Sequence, residues 1–398
     1  MDQKSISFVS LVACWVSGGY VIASGESIFR YGAFGGMVLA SAILLAAVVL
    51  TTVSPHRKPE MPSSPAAIVF SAAAMSEPLI LQAVAAGYVL SSFLGVSVLT
   101  ALFWFIAIHM LYAWFLGQDS PQWLAIFKVA LLFIMAIFMP IYIYLQKGLE
   151  TVYHNLLHYK PSVLHLDQSG IFLFLLACSL ALLGKMVQNH TSRSETVWAA
   201  ICWATTIMAF STMAVVAKAE RLPQQYLEGS LLQVIKALSS LPIYLLFSLV
   251  LLLVLAIGYQ QSLRMLVKST GSLRVCQRTW QRGFLWILLL GWQGVLCFSF
   301  VRTNQNLLDI ILWFGMILGP YSVMVMFRSN AWFFPLLGGL GALPVAYFFG
   351  NQVGVVFSSA VTCAFLGCFQ LTEKWRNSKD CGKREDKSAQ NISDTLLQ

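Results

Sequence analysis

The chain has 398 residues, of which 58% are hydrophobic and only 10% charged. An ordinary soluble domain carries about 25% charged residues, so a globule of this size could not cover itself, and a string of soluble domains is excluded. The composition is that of an integral membrane protein whose apolar surface faces lipid. The formal net charge of +9 calls for no nucleic-acid partner, because an excess of Lys and Arg in cytoplasmic loops accounts for it.

Apolar stretches of spanning length fall at 6–28, 33–54, 66–93, 96–117, 120–146, 170–189, 196–218, 240–264, 283–302, 306–327, 329–349 and 352–371. That is about twelve transmembrane helices in an all-α polytopic protein, and an even number puts both termini on one side. With the termini inside, the inner segments hold 17 Lys and Arg and the outer ones 7, with Lys128 left inside a span. The positive-inside rule therefore places both ends in the cytoplasm, and the expected location is the plasma (cytoplasmic or inner) membrane. The N-terminus has a single Lys before a long apolar run and no convincing cleavage site, which reads as a first membrane helix rather than a signal peptide.

The polar loops are 147–169, outside, and 265–282, inside and basic. Residues 1–372 are expected to form the transmembrane domain and 373–398 a disordered cytoplasmic tail of mixed charge. The sequons at Asn189 and Asn391 map to the cytoplasmic side, so glycosylation is not expected. The eight cysteines are scattered, and Cys363 and Cys368 lie five apart with no nearby His, so they read as small buried hydrophobes rather than metal ligands. No paired acids, metal cluster or nucleophile–base set stands out, so a membrane enzyme is not the expectation.

Chemistry concentrates in the first span. Between Ser17 and Glu26 lie Gly18, Gly19, Tyr20, Ser24 and Gly25, glycines and polar groups at mid-membrane depth. A lipid-facing helix avoids such a cluster unless the backbone lines a cavity. An unwound segment there presents carbonyls to a cation and N–H groups to an anion, as the discontinuous helices of transporters do. The other reading is a small-residue face for close helix packing, which does not by itself explain Glu26.

The run Trp15-Val16-Ser17-Gly18-Gly19-Tyr20, with Glu26 and Tyr31-Gly32 after it, resembles the first core helix of the sodium:solute symporter family, especially its choline- and proline-transporter-like branches. Similar stretches follow in order. Gln82 through Gly87 with Leu90-Ser91 is similar to the third core helix, and Leu111 through Gly117 with Trp123 to the link between the fourth and fifth. Residues 186–223 resemble the sixth-to-seventh passage, and Leu263 through Arg282 the basic loop after the eighth. The resemblance implies a LeuT-type fold with two inverted five-helix repeats, about 6–146 and 170–327, and two extra helices at 329–371. The family's extra N-terminal helix and its amphipathic segment after the second core helix are absent.

Two departures bear on the coupling ion. In the family a sodium ion sits between carbonyls of the broken first helix, here about Ala13 and Val16, and tandem hydroxyls in the eighth. This chain has Ala256-Ile257-Gly258-Tyr259-Gln260-Gln261-Ser262 in that place, so of the hydroxyls only Ser262 remains. Gln260 or Gln261 offers an amide oxygen, which makes a different site. In the fifth helix an acid of the family is replaced by Ala125, and Lys128 follows one turn later on the same face. An intramembrane Lys is costly and marks a functional site by default. Either its ammonium stands where sodium would, giving proton-coupled or uncoupled transport, or the side chain snorkels to the cytoplasmic face.

Glu77-Pro78 falls mid-span in the third core helix, where the proline kinks the backbone, and Glu77 is placed to pair with Lys128 or a cationic solute, or to be protonated and structural. His109 is expected to be a hydrogen-bonded structural residue, and Asp309 a solvated one near the outer end of its helix. The sixth helix lacks the Asn and Tyr of the family's solute site.

The expected function is a secondary transporter of a small polar or zwitterionic solute in the lipid bilayer, working by alternating access. The solute site is expected at Ser17, Gly18, Gly19, Tyr20 and Ser24 with Gln82 and Glu77, Tyr20 and Trp15 offering aromatic faces to a cation. The ion-coupling candidates are Ala13, Val16, Lys128, Gln260 and Ser262, with Na+ or H+ as the ion and no resident cofactor. The rival expectation is a non-transporting sensor or scaffold that keeps the fold.

Overall fold

The computed structural model of the chain describes residues 12, 17–32, 35–53, 65–116, 122–159, 170–180, 193–220, 230–271, 279–303, 305–326, 333–369 and 372. In chain order the helices are α1 (Gly18–Tyr31), α2 (Gly35–Val53), α3 (Pro65–Leu94), α4 (Val98–Leu116), α5 (Gln122–Lys147), α6 (Leu149–Tyr159) and α7 (Gly170–Leu180). They continue with α8 (Arg193–Ala219), α9 (Ser230–Leu238), α10 (Leu241–Gly271), α11 (Thr279–Arg302), α12 (Leu307–Met326), α13 (Phe333–Phe349) and α14 (Asn351–Phe369). The apolar runs of the sequence and these helices coincide to within a few residues, except that the first and sixth runs are described only in part. The tail 373–398 lies outside the described residues, as do Ala13, Trp15 and Val16.

Five of the helices are long and apolar enough to cross a bilayer unaided, among them Trp123–Lys147 and Leu241–Leu263. Their lipid faces read directly as stripes of exposed apolar side chains. On α5, Phe127, Ile134, Ile137, Ile141 and Leu145 recur at helical spacing and are 41–79% exposed, the pattern of a helix with one face on lipid and one on protein. The protein is an integral membrane protein.

Helix packing follows a two-fold exchange. The helix α1 packs on α8, and α7 packs on α2; α3 packs on α12, and α10 on α5; α3 touches α11, and α10 touches α4. Each pair turns into the next when α1–α5 are exchanged with α7, α8, α10, α11 and α12. Because a five-helix unit crosses the membrane an odd number of times, the second unit starts from the opposite side, and the repeat is inverted. The most extensive contacts join equivalent members, α3 with α10 and α2 with α8. Small residues allow these approaches in a medium where apolar burial alone gives no drive to associate. A Cβ on Gly36 of α2 would strike Ser211 of α8, and one on Gly87 of α3 would come within 3.3 Å of Leu102 in α4.

Two segments read from sequence as loops contain helices. The outer loop 147–169 holds α6, and α9 lies between α8 and α10 with Leu231, Leu232, Val234, Ile235 and Leu238 buried. Both are too short to span and carry their apolar residues at helical spacing, so they lie against the bundle instead; α9 packs on α1. Asp309 is also not solvated. It is 9% exposed and takes a two-pronged ion pair from Arg30, Nη1 to Oδ1 at 2.7 Å and Nη2 to Oδ2 at 2.9 Å. The sequence separates these partners by most of the chain, and only the return of α12 to the end of α1 brings them together.

Candidate functional site

Ser17 interrupts the first span. Its backbone is extended at φ −112° and ψ 137°, Val12 before it is helical, and α1 starts at the next residue. The serine caps the new helix: Oγ accepts from Gly19 N at 3.2 Å, and its carbonyl accepts from Tyr20 N at 3.1 Å. A short hydroxyl side chain in extended backbone is the favoured way to satisfy a first-turn donor. All residues from Ser17 to Ile28 are buried, so this segment is not a lipid-facing rod.

The two glycines that follow have a packing role as well. A Cβ on Gly18 would lie 2.8 Å from Leu255 Cδ2 of α10, and one on Gly19 would lie 2.6 Å from Leu81 Cγ of α3. The start of α1 is thus wedged between the third helix of one repeat and the third of the other. Both readings of the glycine cluster, close packing and a chain break, hold at once.

Two buried polar clusters flank the wedge. In the first, the Tyr20 hydroxyl of α1 donates a short hydrogen bond to Glu77 Oε1 of α3, and the Tyr20 ring meets Trp203 of α8 edge to face with centroids 5.4 Å apart. Glu77 is 1% exposed, Tyr20 and Trp203 not at all. A carboxylate beside two aromatic rings is the chemistry that accepts an organic cation. Trp203 was not singled out from sequence, since a Trp inside an apolar run carries no mark of the face it will occupy.

In the second cluster, Gln82 Nε2 of α3 donates to Ser262 Oγ of α10 at 3.1 Å, and Lys128 Nζ of α5 donates to Gln261 Oε1 of α10 at 3.4 Å. Gly258 makes room for both. A Cβ there would collide with Gln82 Oε1 and stand 3.0 Å from Lys128 Nζ. Lys128 is 1% exposed, so it does not snorkel to a membrane face.

Other candidates fall elsewhere. Gln260 Nε2 donates to the His109 carbonyl of α4 at 3.2 Å and faces away from the cluster; a single residue along α10 turns the side chain about 100°, which is why Gln261 and not Gln260 meets Lys128. Ser24 spends its hydroxyl on its own helix, donating to the Val21 carbonyl at 2.7 Å. His109 Nδ1 bonds the Phe105 carbonyl at 2.8 Å, and its ring packs on Phe105 and Tyr259, a structural place. Glu77 accepts from Tyr20 at this place in the bundle.

The donor set bears on a sodium ion. The Ser262 hydroxyl is taken by Gln82, the Gln261 oxygen by an ammonium, and Gln260 points away. A hard cation needs about six oxygens held around it, and the described residues of α10 do not present them while Lys128 is in place.

No family model matches the chain, and neither does any curated protein sequence. Solved structures do. The chain is similar to a Na+-coupled sialic acid symporter in a substrate-bound outward-open state, with a TM-score of 0.61 and 13% identity over 90% of this chain and 89% of that one. It is similar to Mhp1, a nucleobase-cation-symport-1 family transporter in a closed conformation with bromovinylhydantoin bound, with a TM-score of 0.54 and 14% identity over 92% of each chain. It is similar too to a mutant of the Eremococcus coleocola manganese transporter, with a TM-score of 0.52 and 13% identity over 90% of this chain and 92% of that one. At this identity the likeness is one of fold. The chain has the LeuT-type fold, five plus five inverted helices with further helices at the C-terminal end.

Proposed function

We propose that the protein is a secondary transporter that moves a small polar or zwitterionic solute by alternating access between its two repeats. The observation that carries this reading is the interruption of the first span at Ser17, buried between α3 and α10. A membrane protein tolerates non-helical backbone at such depth where it lines a cavity or a solute path. The solved structures of similar fold are transporters, which supports the same conclusion.

Solute contacts fall to Ser17, Gly18, Gly19 and Tyr20 of α1 with Glu77 of α3, and Trp203 completes an aromatic wall. A solute bearing an ammonium group suits this pocket, because Glu77 supplies the opposite charge and the rings supply polarisable faces. Gln82 belongs with the coupling cluster. There the Lys128 ammonium supplies a positive charge in the region where a sodium ion sits in the resembled family, so transport is uncoupled or, where the ammonium exchanges its proton, proton-coupled. The membrane is the plasma membrane, with both termini in the cytoplasm.

Uptake into vesicles of the purified protein tests this, using a panel of amino-acid zwitterions and quaternary ammonium compounds with and without a sodium gradient. The expected outcome is accumulation of at least one solute that persists when K+ replaces Na+. It should be lost or change its ion dependence in Lys128→Ala and Lys128→Gln. Lack of uptake across the panel under both gradients favours the scaffold reading, and unchanged ion dependence in both variants removes Lys128 from the mechanism.

A further inference from the structure

A third buried polar group lies apart from the pocket and the Lys128 cluster, at the seam between α1 and α12. Glu26 is 1% exposed. Its Oε2 accepts a hydrogen bond from the backbone N–H of Leu308 at 2.7 Å, and its Oε1 has no partner among the described residues. Leu308 is the second residue of α12, whose first-turn N–H groups have no acceptor within their own helix. One turn further along α1, Arg30 makes its two-pronged pair with Asp309, and Asn351 Nδ2 at the start of α14 also reaches Asp309 Oδ1 at 3.3 Å. Two adjacent polar contacts therefore join α12 to this part of α1. Arg30 is committed to Asp309, so Glu26 has only the helix end as its counter-charge.

The charged groups facing Glu26 are few. Asp309 and Arg30 are the ones that act on it, and they oppose each other. On its own helix Tyr31 follows Arg30. Among the elements packed on α1, the Glu77 carboxylate of α3 is engaged by Tyr20, Lys218 of α8 lies over the Phe29 ring, and Lys236 of α9 over the Tyr244 ring. The helix α2 contributes no titratable side chain, and in α10 Tyr259 bonds Gln293. No cation is dedicated to the Glu26 carboxylate among the described residues. Arg30, one turn from Glu26, is 28% exposed on its side chain.

We propose that Glu26 is a proton-binding site that latches α12 to α1. As a carboxylate it accepts a charge-assisted hydrogen bond from Leu308 and is favoured at the positive end of α12. When it takes a proton it becomes a neutral acid, a weaker acceptor with no attraction to the helix end. The seam then keeps Arg30–Asp309 as its one charged contact among the described residues, and the end of the bundle assigned to the outside loosens. The ligand is the proton, delivered from the side that Arg30 faces. This step is separate from the solute pocket and from Lys128.

Hydrogen–deuterium exchange tests it on the purified full-length protein in lipid nanodiscs, resolved to the Leu308 amide and to peptides over 303–315. The range is from about pH 5 to about pH 9, after correction for the intrinsic chemical rate. In the unaltered protein, protection at Leu308 is expected to fall about tenfold on acidification, the size of effect expected for losing one hydrogen bond to a charged group. In Glu26→Gln, which matches the neutral acid in shape, protection should be at the acid level at every pH. In Asp309→Asn the pH step should persist on a lower baseline. Protection at Leu308 that does not change with pH in the unaltered protein overturns the proposal, and so does a pH step that survives in Glu26→Gln. A flat profile in the unaltered protein thus overturns the proposal even where a variant fails to fold, and a pH step is assigned to Glu26 by its loss in Glu26→Gln. No solute enters the measurement, so this proposal and the transport reading fail independently.

Discussion

The ammonium of Lys128 stands 3.4 Å from the amide oxygen of Gln261, across the seam between α5 and α10. Gly258, three residues before Gln261 on the same helix, leaves the space into which Lys128 and Gln82 both reach. A buried ammonium is costly unless its protons are taken up by acceptors, and the Gln261 oxygen is one such acceptor. The charge and the glycine belong to one arrangement.

Gly258→Ala places a methyl group on Gln82 Oε1 and 3.0 Å from Lys128 Nζ. The expected cost is about 1–3 kcal/mol, the usual size of overpacking a filled interior, read as a lowered Tm of the detergent-solubilised protein. Gly294→Ala is the control. It has nothing within 4 Å of its added methyl, and alanine gains about 0.5–1 kcal/mol over glycine inside a helix. Equal Tm changes in the two variants contradict the close packing at Gly258.

Removing the ammonium should open a place for a metal cation. In Lys128→Ala the oxygens of Gln82, Gln261 and Ser262 remain. Sodium is expected to stabilise that variant by about 1.4 kcal/mol at ten times its Kd, read as a raised Tm, with no such rise in the unaltered protein. A Tm of Lys128→Ala that is identical in NaCl and KCl counts against the idea that lysine stands in for the ion.

The Tyr20–Glu77 bond is expected to matter to solute and to folding alike. Tyr20→Phe removes one donor to a charged acceptor, a loss of about 1.5–3 kcal/mol of stability read as a lowered Tm, and keeps the ring against Trp203. For a solute identified in the uptake panel, KM should rise as well, because Glu77 is no longer positioned by Tyr20. Glu77→Gln should weaken a cationic solute more than a neutral one of the same size, which competition between the two measures directly. Equal loss for both solutes removes Glu77 as the counter-charge.

Arg30 and Asp309 form a pair whose side chains are 28% and 12% exposed. Arg30→Ala and Asp309→Ala should each destabilise by about 1–3 kcal/mol, since each leaves a partly buried charge without its partner. The double variant should cost less than the two together, with a coupling of about 1 kcal/mol or more. Arg30→Lys should recover only part, because a lysine cannot meet both carboxylate oxygens at once. Additive losses show that the pair is not coupled.

Much of the bundle was legible because lipid imposes a simple rule: a spanning helix needs about 20 apolar residues, and such runs stand out by composition. The break was legible for a related reason, since Ser17, Gly18 and Gly19 are residues a lipid-facing helix avoids. What could not be read was azimuth. Apolar residues surround α10, so no amphipathic stripe tells Gln260 from Gln261, yet one faces the His109 carbonyl and the other Lys128. Trp203 was hidden in the same way within α8.

Asp309 shows the opposite error. Near a helix end, an acid reads as solvated, and nothing local to it points to an arginine at position 30. The same holds for Glu26, whose partner is a backbone N–H on a helix that begins at Leu307.

The sequence alone therefore determined that the chain lives in a bilayer, marked its apolar runs and pointed to the first of them as the place where a helix is least at home. These follow from transfer energies and backbone hydrogen bonding, which depend on nearby residues only. Tertiary structure decided which polar groups meet: Tyr20 with Glu77, Lys128 with Gln261, Glu26 with α12 and Arg30 with Asp309. Those pairings depend on helix rotation and on the exchange of partners between two inverted repeats. Both are settled by packing among helices far apart in the chain.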